Sequence, residues 1–183
     1  MRIGVNLFFF NPSYKGGINT FVYGLIDGIL NNLKNKDKII VYSIHKLDFK
    51  SSKIEIISIP RIYLFLYLII KFSTFFKNDN LTLKLSNFLF NKISNKINSQ
   101  CDVFYCPSSY LFPFNLKIKS VVSVHDIQFK HFPENFSLYQ RRIQNCFFNI
   151  TMKYSNFIQA SSKFIKKDIL TNFEIKSEKI III

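Results

Sequence analysis

A histidine–aspartate pair stands at a point of the sequence where it could act on a substrate. His125 and Asp126 directly follow VVSV, an apolar run typical of a buried strand. An imidazole at the end of a strand can donate a hydrogen bond to a substrate hydroxyl or share a proton with it. A histidine bonded only within its own loop explains these two residues equally well. His45 and His131 lack such a context, and we interpret both as loop residues.

Two adjacent glycines precede a helical pattern near the start of the chain. Gly16 and Gly17 carry no side chains, so their backbone N–H groups can approach an anion closely, and the helix N-terminus adds a partial positive charge. The pair belongs to neither a GxGxxG motif nor a P-loop, since no GK[ST] follows it. An anion-binding turn and a merely flexible turn both remain open interpretations.

Serines follow two other apolar strands. Ser108 comes after VFYCP, and Ser161 and Ser162 come after FIQA. Their hydroxyl groups can bond to a polar ligand, and Ser162 is also well placed to cap the helix that follows it. Because connections between strands and helices are polar in general, each serine also has an ordinary structural explanation.

The alternation of strand-like and helix-like segments predicts an α/β fold with a Rossmann-like, doubly wound and mostly parallel sheet. Strands are expected at residues 3–9, 39–44, 54–59, 103–106, 121–124, 157–160 and 179–183. Helices are expected at residues 18–33, 62–76, 81–97, 143–154 and 163–173. Gly24 and Gly28 lie one turn apart in the first helix, which we explain by close packing on the sheet.

This arrangement predicts a common position for the polar groups. In an open parallel sheet, ligands bind outside the carboxyl ends of the strands. The glycine pair, the serines and the histidine–aspartate pair each follow a strand. We therefore expect four loops to contribute to one site at a single edge of the sheet.

Composition and charge exclude several other classes of protein. The chain has 183 residues, 48% hydrophobic and 20% charged, which suits one globular domain and is too apolar for a disordered segment. Its net charge of +14 favours phosphates, nucleotides or an anionic membrane surface as partners. An AT-rich genome favours lysine, asparagine, isoleucine and phenylalanine. This bias alone would give the same excess positive charge without any anionic partner.

Metal, disulfide and nucleic-acid chemistry find no support in the sequence. The three cysteines Cys101, Cys106 and Cys146 match no recognised zinc-ligand spacing, and an odd number leaves a free thiol, which favours the reducing cytoplasm. No GxSxG elbow precedes a helix, which argues against a catalytic triad. No RRM or helix-turn-helix signature is present either, so we expect no nucleic-acid partner. The longest apolar stretch, residues 62–70, is too short to span a membrane.

Taken in order, these segments resemble the N-terminal half of the GT-B glycosyltransferases of family 4, a retaining group that includes many bacterial mannosyl- and glucosyltransferases. The resemblance rests on five segments: GGINTFVYGLIDGIL, CDVFYCPSSYLFP, VVSVHDIQFKHFPENFS, FIQASSKFIKKDIL and SEKIIII. It extends over nearly the whole chain and is most specific at residues 120–183.

The resemblance implies roles for individual residues. His125 matches the family's active-site histidine near the transferred sugar, and Asp126 matches the neighbour that shapes the loop, so these two are the candidate catalytic residues. Gly16 and Gly17 match the glycine loop beside the donor phosphates and the acceptor.

The candidate substrate-binding residues also include serines. Ser161 and Ser162 match the family's serines after the sixth strand, and Ser108 is added because it follows a strand at the same predicted edge.

The resemblance also implies substrates and partners. Members of the family take the sugar from a nucleotide-sugar donor, keep its anomeric configuration and use no bound metal or other cofactor. Their donor site, with an E-x7-E pattern, lies in a second Rossmann-like half that residues 1–183 do not contain. We therefore expect residues 1–183 to form one acceptor-side domain that is inactive alone. It would be a fragment, a truncated gene product or half of a split enzyme that pairs with a separate C-terminal domain chain, and the complete enzyme would act on a glycan or lipid-linked acceptor.

Basic and aromatic residues alternate in the predicted helices 62–76 and 81–97. The lysines are Lys71, Lys77, Lys84, Lys92 and Lys96, and the aromatic residues are Phe72, Phe75, Phe76, Phe88 and Phe90. Such a face can lie on anionic lipid, which would place the protein at the inner face of the cell membrane. Alternatively, the phenylalanines face the core and the lysines only solvate the outside.

Two other functions are compatible with these features to different degrees. A non-catalytic basic module that binds anions or a membrane surface would share the fold and the charge. A nicotinamide-binding domain is disfavoured, because the first turn lacks GxGxxG and no acidic residue ends the second strand.

Overall fold

A computed structural model describes residues 1–14 and 16–183 and confirms the predicted α/β fold. Seven strands form one sheet: β1 (Arg2–Leu7), β2 (Lys38–Ser43), β3 (Ile54–Ser58), β4 (Val103–Cys106), β5 (Lys119–Val124), β6 (Phe157–Ala160) and β7 (Ile180–Ile182). Their order is β3-β2-β1-β4-β5-β6-β7, and every neighbouring pair is parallel. The order reverses between β1 and β4, which is the position where open parallel sheets bind ligands.

Helices connect the strands and pack on the sheet. They are α1 (Gly17–Asn32), α2 (Ile62–Ser73), α3 (Asp79–Leu89), α4 (Asn91–Gln100), α5 (Gln128–His131), α6 (Leu138–Tyr154) and α7 (Lys163–Asn172). Short 3-10 turns lie at Thr74–Phe76, Pro133–Asn135 and Ser177–Lys179.

The sheet separates two hydrophobic cores of unequal size. Ile39 and Val41 of β2 enter the smaller core together with residues of α1. Ile40 and Tyr42 of the same strand enter the larger core, which also holds residues of α2, α4, α6 and α7. Strand residues alternate between the two faces, so the continuous apolar runs of the sequence result from a sheet buried on both sides.

One part of the sheet belongs to neither core. The register places Val5, Tyr105, Val121 and Phe157 in one row across β1, β4, β5 and β6. Val5 is buried under α1, whereas the other three side chains are only partly buried. All-parallel sheets normally carry helices on both faces. Within the described residues, the α1 side of the sheet beyond β1 therefore lacks the cover that such sheets usually have.

The predicted strands are all present, with ends displaced by at most two residues. The helix predicted at residues 81–97 is wrong, because it is divided into α3 and α4 at Phe90. Phe90 is fully buried and packs on Phe112 with 4.6 Å between ring centroids, whereas Phe88 is 80% exposed. The turn at Phe90 allows this ring to enter the core. The apolar periodicity of residues 81–97 did not reveal this turn, because the same pattern is compatible with one straight helix.

Gly24 and Gly28 lie on the exposed side of α1, so their predicted close packing on the sheet is wrong. A Cβ atom added to either residue would meet no other atom within 4 Å. Gly4 of β1 is the glycine that close packing requires. A Cβ atom there would lie 2.6 Å from Cδ2 of Phe104 and 2.7 Å from Sγ of Cys101.

Alanine substitutions should therefore have opposite effects on stability in α1 and in β1. Gly24→Ala and Gly28→Ala are each expected to raise the free energy of unfolding by about 0.5–1 kcal/mol, because glycine is the more flexible residue in the unfolded chain. Gly4→Ala is expected to lower it by about 1–3 kcal/mol through overpacking. Urea unfolding followed by circular dichroism measures the free energy of unfolding of all three variants. A destabilised Gly24→Ala variant would contradict the conclusion that Gly24 borders open space.

Candidate functional site

The strand order brings the predicted site residues to one edge of the sheet. Strands β1, β4, β5 and β6 are consecutive neighbours. The glycine pair follows β1, Ser108 follows β4, His125 follows β5, and Ser161 follows β6. The four loops consequently lie side by side at the carboxyl ends of the strands, as the sequence predicts.

His125 is held by contacts with several of these loops. Its Nε2 lies 2.9 Å from the carbonyl oxygen of Pro107, and its backbone oxygen accepts a hydrogen bond from Oγ of Ser161 at 3.4 Å. The ring of Phe21, in the second turn of α1, meets the imidazole edge to face at 4.6 Å between centroids. A carbonyl oxygen can only accept, so Nε2 carries the hydrogen and Nδ1 holds the lone pair of the neutral ring. Nδ1 can then accept a hydrogen bond from a substrate hydroxyl or take up a proton.

Asp126 contacts its own loop. Its Oδ1 accepts a hydrogen bond from the backbone N–H of Gln128 at 3.2 Å, at the start of α5. The carboxylate is exposed. This bond fixes the backbone of the segment between β5 and α5.

The glycine pair borders open space at the start of α1. Gly16 is the N-cap in an extended conformation, and no described glycine has positive φ. A Cβ atom on Gly16 would lie 2.9 Å from Cε1 of Tyr14, an exposed ring that can move, and one on Gly17 would meet nothing within 4 Å. Neither backbone geometry nor packing therefore demands glycine here. The open space is where a ligand could approach the first N–H groups of α1.

The serines have different tasks. The hydroxyl of Ser162 accepts a hydrogen bond from the backbone N–H of Ile165 at 3.1 Å, which confirms the predicted cap of α7. Ser161 is exposed and joins the β6 loop to His125. Ser108 is also exposed, next to Pro107, whose carbonyl oxygen accepts from His125.

A cavity of about 340 Å³ opens beside this edge, between the β1 loop, α1, α2 and the β4 loop. Of the predicted site residues, Ser108 is part of its wall. The remainder is largely aromatic, and Phe9 and Tyr67 stack there at 3.9 Å between centroids with 21° between their planes. Burial raises the pKa of the Tyr67 and Tyr110 phenols, so both remain neutral hydroxyl groups at neutral pH. Flat ring faces and neutral polar groups suit a ligand with an apolar face and hydroxyls at its edge, such as a sugar ring.

Two asparagines in the cavity wall were not identified from the sequence. Nδ2 of Asn6 donates to the carbonyl oxygen of Phe112 at 2.6 Å, and its Oδ1 accepts from the backbone N–H of Phe8 at 3.1 Å. Nδ2 of Asn19 donates to the carbonyl oxygen of Asn11 at 3.1 Å. Both side chains are 9% exposed and fix the loop after β1. An asparagine inside the apolar run of β1 was the signal that could have identified Asn6.

His131 lies in α5 and not in a loop, which corrects the prediction for this residue. Its Nε2 lies 2.8 Å from both carboxylate oxygens of Asp168 in α7, and Nδ2 of Asn172 donates to the same carboxylate at 3.0 Å. These bonds tie the segment that follows His125 to α7. His45 lies in a loop, as predicted.

The described residues hold no group of three or more His, Cys, Asp or Glu side chains that could bind a metal ion. All three cysteines are buried free thiols. Burial raises the pKa of Cys106 to about 11 and, together with Asp79, that of Cys146 to about 12. Neither thiol is therefore a nucleophile at neutral pH.

No protein-family model matches this chain, and no curated protein matches it either. The family resemblance thus remains a prediction that depends on the order of its motifs.

Proposed function

We propose that the chain is the acceptor-side domain of a retaining, metal-independent glycosyltransferase. It would transfer a sugar, mannose or glucose, from a nucleotide-sugar donor to a surface polysaccharide or a lipid-linked acceptor. The observation that carries the proposal is the convergence of the loops after β1, β4, β5 and β6 around His125, next to an aromatic cavity at the point where the strand order reverses.

Each group at this edge has a role in the proposed reaction. The bond from Nε2 to Pro107 and the contact with Phe21 hold the His125 ring, so that Nδ1 meets the reacting sugar. The N–H groups at the start of α1 face the donor phosphates across the open space beside Gly17. The aromatic cavity receives the acceptor, with Ser108 available for a hydrogen bond.

The uncovered part of the sheet supports the existence of a second half. Val121 and Phe157 are partly buried on the α1 side of the sheet, in the part beyond β1 that no described helix covers, and Ile181 is 46% exposed. A parallel sheet is stable in water when both faces are covered. A polypeptide that carries the nucleotide pocket would supply both the donor site and this cover.

A transfer assay tests the proposal. The purified chain, mixed with UDP-glucose or GDP-mannose, is expected to give no transfer and no hydrolysis above the rate without protein. Transfer with retained anomeric configuration is expected once a polypeptide bearing the E-x7-E half is added. Turnover by the chain alone would refute the half-enzyme interpretation, and the absence of turnover with every such partner would refute glycosyl transfer.

Two glycines of α1 provide a matched pair for the same assay. Gly17→Ala and Gly24→Ala both place a methyl group in open space, but only Gly17 lies at the proposed donor phosphates. We expect Gly17→Ala to raise the KM for the nucleotide sugar and Gly24→Ala to leave it unchanged. Equal KM values for the two variants would show that the glycine loop does not contribute to donor binding.

A second candidate function, binding to an anionic membrane surface, is favoured by the exposed side of α2. Tyr63, Leu66, Tyr67 and Ile70 join the larger core, yet the opposite side of the helix is apolar as well. We name this exposed side, with the turn that follows it, the α2 stripe: Phe65, Leu68, Phe72, Phe75 and Phe76, which are 60%, 56%, 60%, 42% and 65% exposed. A helix that is apolar all round usually lies in a protein interior or against lipid.

The charges near the α2 stripe favour lipid over another part of the protein. Arg61 and Lys77 are exposed at its two ends. Lys71 is instead partly buried with its Nζ 4.8 Å from the centre of the Tyr67 ring, and desolvation lowers its pKa. None of the described helices is long and apolar enough to cross a bilayer. Of the phenylalanines named in the sequence analysis, Phe90 faces the core, as the alternative explanation expected. The other four, Phe72, Phe75, Phe76 and Phe88, are exposed.

Vesicle flotation tests this second function. The chain is expected to float with vesicles containing phosphatidylglycerol at low salt and to be released as salt screens the charges. Phe65→Ser with Phe72→Ser should weaken binding, whereas Phe164→Ser, which alters a 71% exposed ring on α7, should not. No flotation at low salt would exclude a membrane role.

A further inference from the structure

A second cavity, of about 710 Å³, lies at the end of the α2 stripe, between the turn after α2, the start of α3 and α6. Its wall contains Phe76, whose ring is 6.2 Å from that of Phe72. The apolar stripe therefore leads directly into the rim of this cavity. We name it the α2–α6 cavity.

Two cations line the α2–α6 cavity. Lys77 is exposed at its rim, and Arg142 of α6 is held by a hydrogen bond from Nη1 to the carbonyl oxygen of Phe75 at 3.2 Å. The guanidinium carbon also lies 5.8 Å from the Phe75 ring, which stacks on Tyr139. Guanidinium has five N–H donors, so this fixed group retains donors for a ligand. A fixed guanidinium and an ammonium group in the wall of one cavity can bind phosphate together.

Polar groups of the same cavity can bind hydroxyls. Oδ2 of Asp79 accepts a hydrogen bond from Nδ2 of Asn149 at 3.0 Å, which positions the carboxylate in the wall. Asn80 and Asn145 are also part of the wall. A carboxylate repels a bare phosphate but accepts hydrogen bonds from hydroxyl groups. Two cations with a carboxylate and amides therefore fit a phosphate that carries a polyol better than a phosphate alone.

We propose that the α2–α6 cavity binds the phosphate and hydroxyl groups of a phosphatidylglycerol-like lipid headgroup. Lys77 and Arg142 contact the phosphate, Asp79 accepts from the glycerol hydroxyls, and the acyl chains lie against Phe72 and Phe76. This inference rests on the membrane role proposed for the α2 stripe, and it adds recognition of one headgroup to general attraction by charge.

Flotation of the full chain with two kinds of anionic vesicle distinguishes recognition from charge. One set of phosphatidylcholine vesicles contains phosphatidylglycerol. The other set contains enough oleate, which has no phosphate, to give the same surface charge. Wild type is expected to bind the phosphatidylglycerol vesicles more tightly. Lys77→Gln with Arg142→Gln should weaken that binding at least about tenfold, since each cation near an anionic surface contributes about 1 kcal/mol. The matched control, Lys163→Gln with Lys167→Gln, removes the same charge from exposed positions on α7 and should change it by less than about twofold.

A third variant tests the hydroxyl contacts. Asp79→Asn keeps the shape of the side chain and is expected to reduce the preference for phosphatidylglycerol over phosphatidic acid, which has no glycerol headgroup. Circular dichroism verifies that each variant is folded. Failure of wild type to bind either vesicle would refute the membrane role itself. The headgroup site is refuted, and the membrane role stands, in either of two cases. In the first, wild type binds but the Lys77/Arg142 double variant and its matched control bind equally tightly. In the second, wild type binds oleate vesicles as tightly as phosphatidylglycerol vesicles.

Discussion

Replacing Phe112 with alanine is expected to lower the free energy of unfolding by about 3–5 kcal/mol, because a large buried ring leaves a cavity that the surroundings fill only in part. Phe112 is 3% exposed and lies in the larger core. Its ring lies 4.6–6.2 Å, between centroids, from the rings of Phe8, Phe9, Tyr67, Phe90 and Phe114. The loss should therefore affect the loop after β1, α2 and the turn between α3 and α4 together.

Phe88→Ala is the matched control for this prediction. It makes the same chemical change at a ring that is 80% exposed, and it should alter the free energy of unfolding by no more than about 0.5 kcal/mol. Urea unfolding followed by both fluorescence and circular dichroism measures the two variants. Similar losses in both would show that the aromatic cluster around Phe112 does not determine stability.

Replacing His125 with alanine is expected to reduce sugar transfer by the assembled two-half enzyme by about 10²–10³-fold, the usual effect of removing one fixed hydrogen-bonding group from a reacting centre. The reduction should appear in kcat, because Nδ1 is proposed to meet the sugar as it reacts. Stability should fall by only about 1 kcal/mol, through loss of the bond to Pro107.

Two further variants separate the catalytic role of His125 from a structural one. His125→Gln can retain an N–H donor to Pro107, so it should recover the thermal stability of the wild type but not its kcat. His45→Ala removes an imidazole from another loop and should leave kcat unchanged. Full transfer by His125→Ala would remove this residue from the mechanism.

The strands and the common edge of the loops were predictable because they depend on local patterns. Continuous apolar runs such as residues 121–124 indicate strands buried on both faces, and the alternation with helices predicts parallel pairing. Once the pairing is parallel, residues that follow strands must lie at the same edge. The positions of His125 and Ser108 at that edge followed from this rule alone.

Contacts between distant segments were not predictable in the same way. Phe88 and Phe90 are two residues apart in an apolar segment, yet one is exposed and the other is buried against Phe112. His131 has no distinctive neighbour in the sequence, and its partner Asp168 lies 37 positions further along the chain. Propensity describes the neighbours of a residue along the chain, whereas these outcomes depend on which distant segments it meets.

The sequence by itself determined the α/β architecture, the strand succession and the edge at which polar loops gather, since periodicity and strand ends are local properties of the chain. Only the tertiary structure decided which apolar residues are exposed, and it left the α2 stripe in solvent although its composition equals that of a core helix. It also decided that Nε2 of His125 bonds to Pro107 and that Lys77 and Arg142 share a cavity. Side chains from different elements come together only when the helices pack on the sheet, and that packing minimises exposed apolar area for the whole molecule and not for any single segment.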